Sequence, residues 1–240
     1  MIDKKIHYCW FGRSEMPDLA KECIASWHRL MPDWEYVLWN EDNFDINSVA
    51  YTREAYAAGK YAFVSDYVRL FALHRDGGLY LDVDFMVYRP FDDLLDHAAF
   101  AGFEGSKHQP LMMGVCASEA HGEWVTEMLS AYANRHFVLS DGSYDMTTNV
   151  QFITAIMASN GFRQDGREQD YKDLHVFPVT YFCPRLTTGE YLRTDQTYCE
   201  QVGSSSWAGR APVWKQWVLS IVGQKNMTRL IKLKRRLFDK

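Results

Sequence analysis

Apolar residues in this chain fall into two patterns, short continuous runs and stripes spaced by three or four, and the patterns alternate. Ile6 to Phe11 is a compact run of strand-forming residues closed by Gly12, which predicts a buried first strand ending in a turn. Pro17 opens a helical stripe with Leu19, Cys23, Ile24 and Trp27 on one face, stopping near Pro32. Glu35 to Trp39 reads as a second strand, ended by Asn40. Strand, helix and strand in that order open a βαβ unit, so the fold class expected is α/β.

Residues 61 to 74 form the next helical stretch, and Gly77 and Gly78 stand where a helix C-terminus favours glycine. Leu79 to Val87 then reads as one strand whose far end carries Asp82 and Asp84. Further along, helices are expected at 123–135 and 149–160, and a strand near His175 to Phe177.

At 240 residues, without a linker or repeat, the chain reads as one domain, 1–212, followed by a basic tail, 213–240. A hydrophobic content of 47% is enough for a sizeable core, which argues against disorder. The N-terminus lacks the apolar core of a signal peptide, and no segment approaches the roughly 18 apolar residues of a membrane span. Five scattered cysteines with no Cys-x-x-Cys pair fit a reduced, cytoplasmic setting.

The net charge of −5 conceals an asymmetry. From Val213 to Lys240 eight basic residues stand against Asp239, so the tail carries +7 and the remainder −12. Apolar residues such as Trp217, Ile221, Leu230 and Leu233 are interleaved with that charge. Two readings stay open: a basic amphipathic helix in peripheral contact with an anionic membrane face, and a solvated terminal helix docked on the domain. Nucleic acid is not an expected partner, because no nucleic-acid motif accompanies the charge.

Side chains two apart on a strand share a face, which would put the Asp82 and Asp84 carboxylates together, about 6–7 Å apart. Paired hard oxygen donors suit Mg²⁺ or Mn²⁺. With 19 aspartates, one or two Asp-x-Asp triplets arise by chance, so the setting matters more than the motif. Two acids ending an apolar strand are costly unless a cation or hydrogen bonds compensate them; turn-capping aspartates are the plainer alternative. In the preceding helix Ser65, Asp66 and Arg69 are the only strongly polar residues between Tyr61 and Leu73, and Asp66 and Arg69 share a face at i and i+3. They suit a private salt bridge, a site for sugar hydroxyls and phosphate oxygens, or both.

The stretch from Tyr61 to Phe91, YAFVSDYVRLFALHRDGGLYLDVDFMVYRPF, resembles the signature of glycosyltransferases with a DXD sugar-binding motif, a group that includes bacterial capsular-polysaccharide transferases and fungal Golgi mannosyltransferases. The likeness extends to IHYCWFG at 6–12, WNEDNFD at 39–45, YFCP at 181–184 and the Ser205-Ser206-Trp207 segment. It implies a GT-A fold, with a Rossmann-like mixed sheet flanked by helices, a nucleotide-sugar donor such as a UDP-sugar, a divalent cation and retention of anomeric configuration. Carried over by position, Tyr8, Trp10 and Trp39 would form a nucleotide rim, Asp66 and Arg69 would hold the sugar, and Asp82 would touch ribose and sugar. Asp84 would bind the metal, with Asp82 sharing it. Ser205 and Trp207 would approach the diphosphate, and Asn149 the transferred sugar. The acceptor implied is a glycan or a lipid-linked oligosaccharide in surface polysaccharide synthesis.

One departure stands out. Similar capsular transferases carry a His-His pair shortly before the closing Ser-x-Ser-Trp, where this chain has Gln201-Val202. That loss removes a candidate metal ligand and leaves Glu200 as the neighbouring substitute. It also keeps open a rival reading, a sugar-nucleotide-binding protein without turnover. A haloacid-dehalogenase-like phosphatase is the other rival, yet its motif belongs on the first strand before a small or hydroxyl residue, whereas here Phe85 follows.

Overall fold

The computed structural model describes residues 1–106 and 109–203, which form one compact unit. Ser205, Trp207 and the tail 213–240 lie outside the described residues. The opening βαβ unit is present as β1 (Lys5–Cys9), α1 (Asp18–Leu30) and β2 (Glu35–Trp39). Helix α1 buries Ala20, Cys23, Ser26 and Trp27, a stripe at helical spacing, while Leu19 from the expected face is 40% exposed. Helices α2 (Ala50–Ala57) and α3 (Tyr61–Asp76) follow, and α3 is buried along most of its length.

Gly77 and Gly78 both take positive φ, 65° and 103°, to reverse the chain from α3 into strand β3 (Gly78–Leu81). A Cβ at Gly78 would lie 2.6 Å from the Lys5 carbonyl, so glycine there also lets β3 dock beside β1.

The main sheet has seven strands in the order β2-β1-β3-β6-β5-β8-β7. Its other members are β5 (Ala99–Phe103), β6 (Leu111–Ser118), β7 (Gln169–Tyr171) and β8 (Leu174–Phe177). Strands β2, β1 and β3 are parallel, β6 runs antiparallel to β3 and β5, and β8 is parallel to β5. Every residue of β5 and β6 is buried, because both faces of the sheet are covered. Alternate residues serve opposite cores: Tyr80, Met113 and Cys116 join α2, α3, α4 (Glu123–Ser130) and α5 (Asn149–Ser159) on one side. Leu79, Leu81, Val115 and Ala117 join α1 and α6 (Val179–Phe182) on the other. Among the described residues no helix is long and apolar enough to cross a membrane.

The single strand expected from Leu79 to Val87 is two strands. β3 stops at Leu81, and Phe85 N–H closes a turn onto the Asp82 carbonyl (3.1 Å). Residues Phe85–Val87 form β4, paired antiparallel with β9 (Cys199–Gln201) in a separate ribbon. Asp82 and Asp84 therefore sit in a turn between strands, and the same-face geometry expected of one continuous strand does not apply. Helix α1 accommodates the break: the Trp27 indole donates to the Phe85 carbonyl (2.8 Å) and Ser26 Oγ accepts from Val87 N–H (3.1 Å), so backbone groups outside the main sheet are satisfied by the helix.

Trp27 is fully buried. Its replacement by phenylalanine is expected to lower stability by about 1–3 kcal/mol in urea denaturation, since it leaves the Phe85 carbonyl unpaired and a void beside the aspartate turn.

Candidate active site

The parallel pairing of β1 with β3 aligns Ile6 with Leu79 and His7 with Tyr80, so Trp10, just past β1, and Asp82, just past β3, emerge at one edge of the sheet. From β1 the chain moves first to β2 on one side and then to β3 on the other. A crevice outside the carboxyl ends of such strands, where the winding direction reverses, is where open α/β sheets bind ligands. Trp10 is half-buried there, its indole N–H held by the Ser14 carbonyl (2.6 Å). Tyr8 is half-buried with its ring edge-on to Trp27. Trp39 does not join them. It is 1% exposed, its indole donates to His7 Nδ1 (3.0 Å), and Arg75 covers its ring, so it offers no face to a nucleotide.

Arg69 is the hub of the site and is 5% exposed. Its Nη2 donates to Asp66 Oδ1 (2.9 Å) and lies 3.4 Å from Asp82 Oδ1. Nη1 donates to the Met113 carbonyl of β6 (2.5 Å), and the guanidinium lies 4.7 Å from the centre of the Tyr80 ring. Tyr80 in turn donates its hydroxyl to Asp82 Oδ1 (2.8 Å). Burial works against the charge on Arg69, but the carboxylate of Asp82, the Tyr80 hydroxyl and Asp66 hold its pKa well above the ordinary value. Burial pushes Asp66 up to about 6 against the opposing pull of Arg69, so Asp66 is mostly ionised at neutral pH.

Asn149 reaches the same place from the first turn of α5. Thr148 caps that helix in a capping box with Gln151, and Asn149 Nδ2 donates to the Asp66 carbonyl (2.8 Å). Its buried Oδ1 has no hydrogen-bond partner among the described residues, an acceptor free for a ligand hydroxyl.

Asp84 faces the β9 end of the ribbon. Burial, reinforced by the negative charge of Asp82, raises its pKa to about 6. Gln201 Nε2 donates to Asp84 Oδ2 (3.0 Å), and Val202 N–H donates to the Asp84 carbonyl (2.9 Å). Glu200 points elsewhere: its Oε1 accepts from the Tyr88 hydroxyl (2.7 Å), so it does not replace the missing ligand at Asp84. A half-buried carboxylate without a salt-bridge partner among the described residues, next to a second carboxylate, fits a hard divalent cation. Asp82 and Asp84 would hold it. Sequence reasoning missed Tyr80, because a buried strand tyrosine is ordinary core; Gln201 stood out only as a departure from the likeness, and no local pattern announces that its amide meets Asp84.

The sign of the Asp84 shift has a measurable result. Its folded pKa lies above the unfolded value, so the cation-free protein loses stability as pH rises from about 4 through about 6. Asp84→Asn removes that loss. In urea denaturation of chelator-treated protein the variant is expected to be more stable than wild type at pH 8, by up to roughly 2–3 kcal/mol, and no more stable at pH 4. Added Mn²⁺ should stabilise only the wild type.

Residues 17–101 match the family described as "Glycosyltransferase sugar-binding region containing DXD motif". Inositol phosphoceramide mannosyltransferase 3 of Schizosaccharomyces pombe is 35% identical over 107 residues, 41% of this chain and 29% of that protein. Subversion of eukaryotic traffic protein A of Legionella pneumophila is 29% identical over 119 residues, 38% of this chain and 18% of that protein. The chain therefore spans less than a third of the length of these curated relatives. In three dimensions the apo form of mouse xyloside xylosyltransferase 1 is similar, with a TM-score of 0.52 at 11% identity over 86% of this chain and 99% of that one. The Asp82–Asp84 turn and the Arg69 hub thus lie within the stretch that matches the glycosyltransferase sugar-binding region containing a DXD motif, on a fold similar to that of this GT-A glycosyltransferase.

Proposed function

We propose that this chain transfers a hexose from a nucleoside diphosphate sugar, in the first instance a uridine diphosphate sugar, to a glycan or lipid-linked acceptor in surface polysaccharide synthesis. The observation that carries the reading is the Arg69-centred cluster of Asp66, Asp82 and Tyr80 beside the half-buried Asp84 carboxylate, at the reversal point of the sheet. When bound, Mn²⁺ or Mg²⁺ supplies charge neutralisation for the diphosphate leaving group. Asp66 and the free Oδ1 of Asn149 accept hydrogen bonds from sugar hydroxyls, and Trp10 flanks the base at the mouth of the crevice. Arg69 keeps Asp66 and Asp82 in place with its planar fork, so the sugar meets acceptors already oriented.

No side chain of the cluster is offered as a covalent nucleophile. Asp82 Oδ1 is engaged by both Tyr80 and Arg69, which speaks against the phosphatase reading. Retention of configuration follows from the likeness to the DXD family. The relative named for mannosyl transfer to inositol phosphoceramide supports a lipid-linked acceptor. Action at the cytoplasmic face of a membrane, with residues 213–240 as the attachment, belongs to the same proposal.

Release of nucleoside diphosphate from a panel of uridine and guanosine diphosphate sugars, with Mn²⁺, Mg²⁺ or chelator, is the test. Turnover is expected with one donor, dependent on metal, and at least 100-fold slower in Asp84→Ala, the scale of losing a main electrostatic stabiliser. Donor binding in calorimetry without turnover, even with acceptor extracts, would instead identify a binding protein. Turnover indifferent to Asp84 would overturn the assignment of the site.

A further inference from the structure

Two carboxylates are a short donor set for a divalent cation. Among the described residues no group of three or more His, Cys, Asp or Glu side chains comes together to extend it. Among the described residues the side chain that hydrogen-bonds the Asp84 carboxylate is Gln201, its amide 3.0 Å from Oδ2. Backbone pairing puts it there, because β9 aligns Gln201 with Phe85 and Val202 N–H is anchored on the Asp84 carbonyl. The Gln201 side chain is otherwise exposed, and Asp84 is its one hydrogen-bond partner among the described residues.

Glycines keep the surroundings of both acids clear. A Cβ at Gly114 would lie 2.9 Å from Asp82 Oδ2, and one at Gly203 would lie 2.6 Å from Asp84 Oδ2. The backbone of β6 and the backbone after β9 thus approach the carboxylates as closely as glycine permits. Among the described residues Gln201 is the side chain that reaches Asp84 and is otherwise exposed.

A primary amide has two ends of nearly the same shape and opposite polarity. Its N–H₂ end suits a bare carboxylate, and its carbonyl end suits a cation. Rotation about the terminal side-chain torsion, which is broad and roughly two-fold, exchanges them without moving the backbone. We propose that Gln201 is a protein ligand of the cation, its amide donating to Asp84 while the site is empty of metal and turning Oε1 toward the cation when it binds. The inference rests on the reading of Asp82 and Asp84 as the cation site. It makes the donor set among the described residues all oxygen, the ligand type that suits Mg²⁺ and Mn²⁺.

The test is titration of the 240-residue chain with Mn²⁺ in the presence of uridine diphosphate, followed by electron paramagnetic resonance, with bound waters counted from water-proton relaxation. Gln201→Leu is expected to weaken Mn²⁺ about tenfold and to add one water to the bound ion. Gln201→His is expected to show a directly coordinated nitrogen and to raise the ratio of Ni²⁺ to Mn²⁺ affinity. Wild-type affinity in Gln201→Leu, or a weakened site with no added water, would overturn the inference and leave the cation site itself standing. Absence of saturable Mn²⁺ binding by wild type, or full affinity in Asp84→Ala, would overturn the cation site and the inference together.

Discussion

A guanidinium buried between a helix and two strands must have its N–H groups placed, and Arg69 places them on Asp66, Ser65 and Met113 while leaning on Asp82. That one side chain ties α3 to β6 and both to the end of β3. A buried positive charge without acids would be prohibitive, and Arg69 finds them in the half-buried Asp66 and Asp82. The two acids are therefore held in place by the same interaction that lets the guanidinium be buried. The site is assembled as part of folding, and its polar groups need little reorientation to meet a sugar.

Asp84 stands outside that compensation. Its environment is set by the ribbon of β4 and β9, which α1 draws away from the main sheet through Trp27 and Ser26. The aspartate turn is the point where the chain leaves one sheet for the other. Of the two acids, the one locked by Arg69 and Tyr80 is suited to fix geometry, and the one left with a raised pKa and a single amide partner is suited to receive a cation. The arrangement costs stability in the cation-free protein, a common feature of sites built for a ligand.

Much of the early chain was legible from local pattern. β2 and the starts of α3 and α5 lie where periodicity and turn residues put them, because each is decided by contacts within a few residues. β5 and β6 were not legible: fully buried on both faces, they show neither alternation nor a helical stripe. The strand through the DXD motif was read as continuous because apolar runs, Leu79 to Leu81 and Phe85 to Val87, flank the turn on both sides, and the contacts that part them come from α1 and β9, distant in the chain. Trp39 failed as a nucleotide contact for a related reason, since a tryptophan at a strand end is equally fit for rim or core, and the His7 ring and Arg75 decide for core.

By itself the sequence determined that this is an α/β chain with a pair of aspartates after an apolar strand, an Asp66–Arg69 pair on one helix face, and a likeness to DXD glycosyltransferases. Those are properties of neighbours in the chain, or of motifs that residue identity alone can express. Only the tertiary structure decided that Arg69 bridges both acids, that Asn149 joins them from 83 residues away, and that Gln201 rather than Glu200 faces Asp84 across a separation of 117. Such contacts depend on sheet order and strand register, which arise from the packing of distant segments against one another.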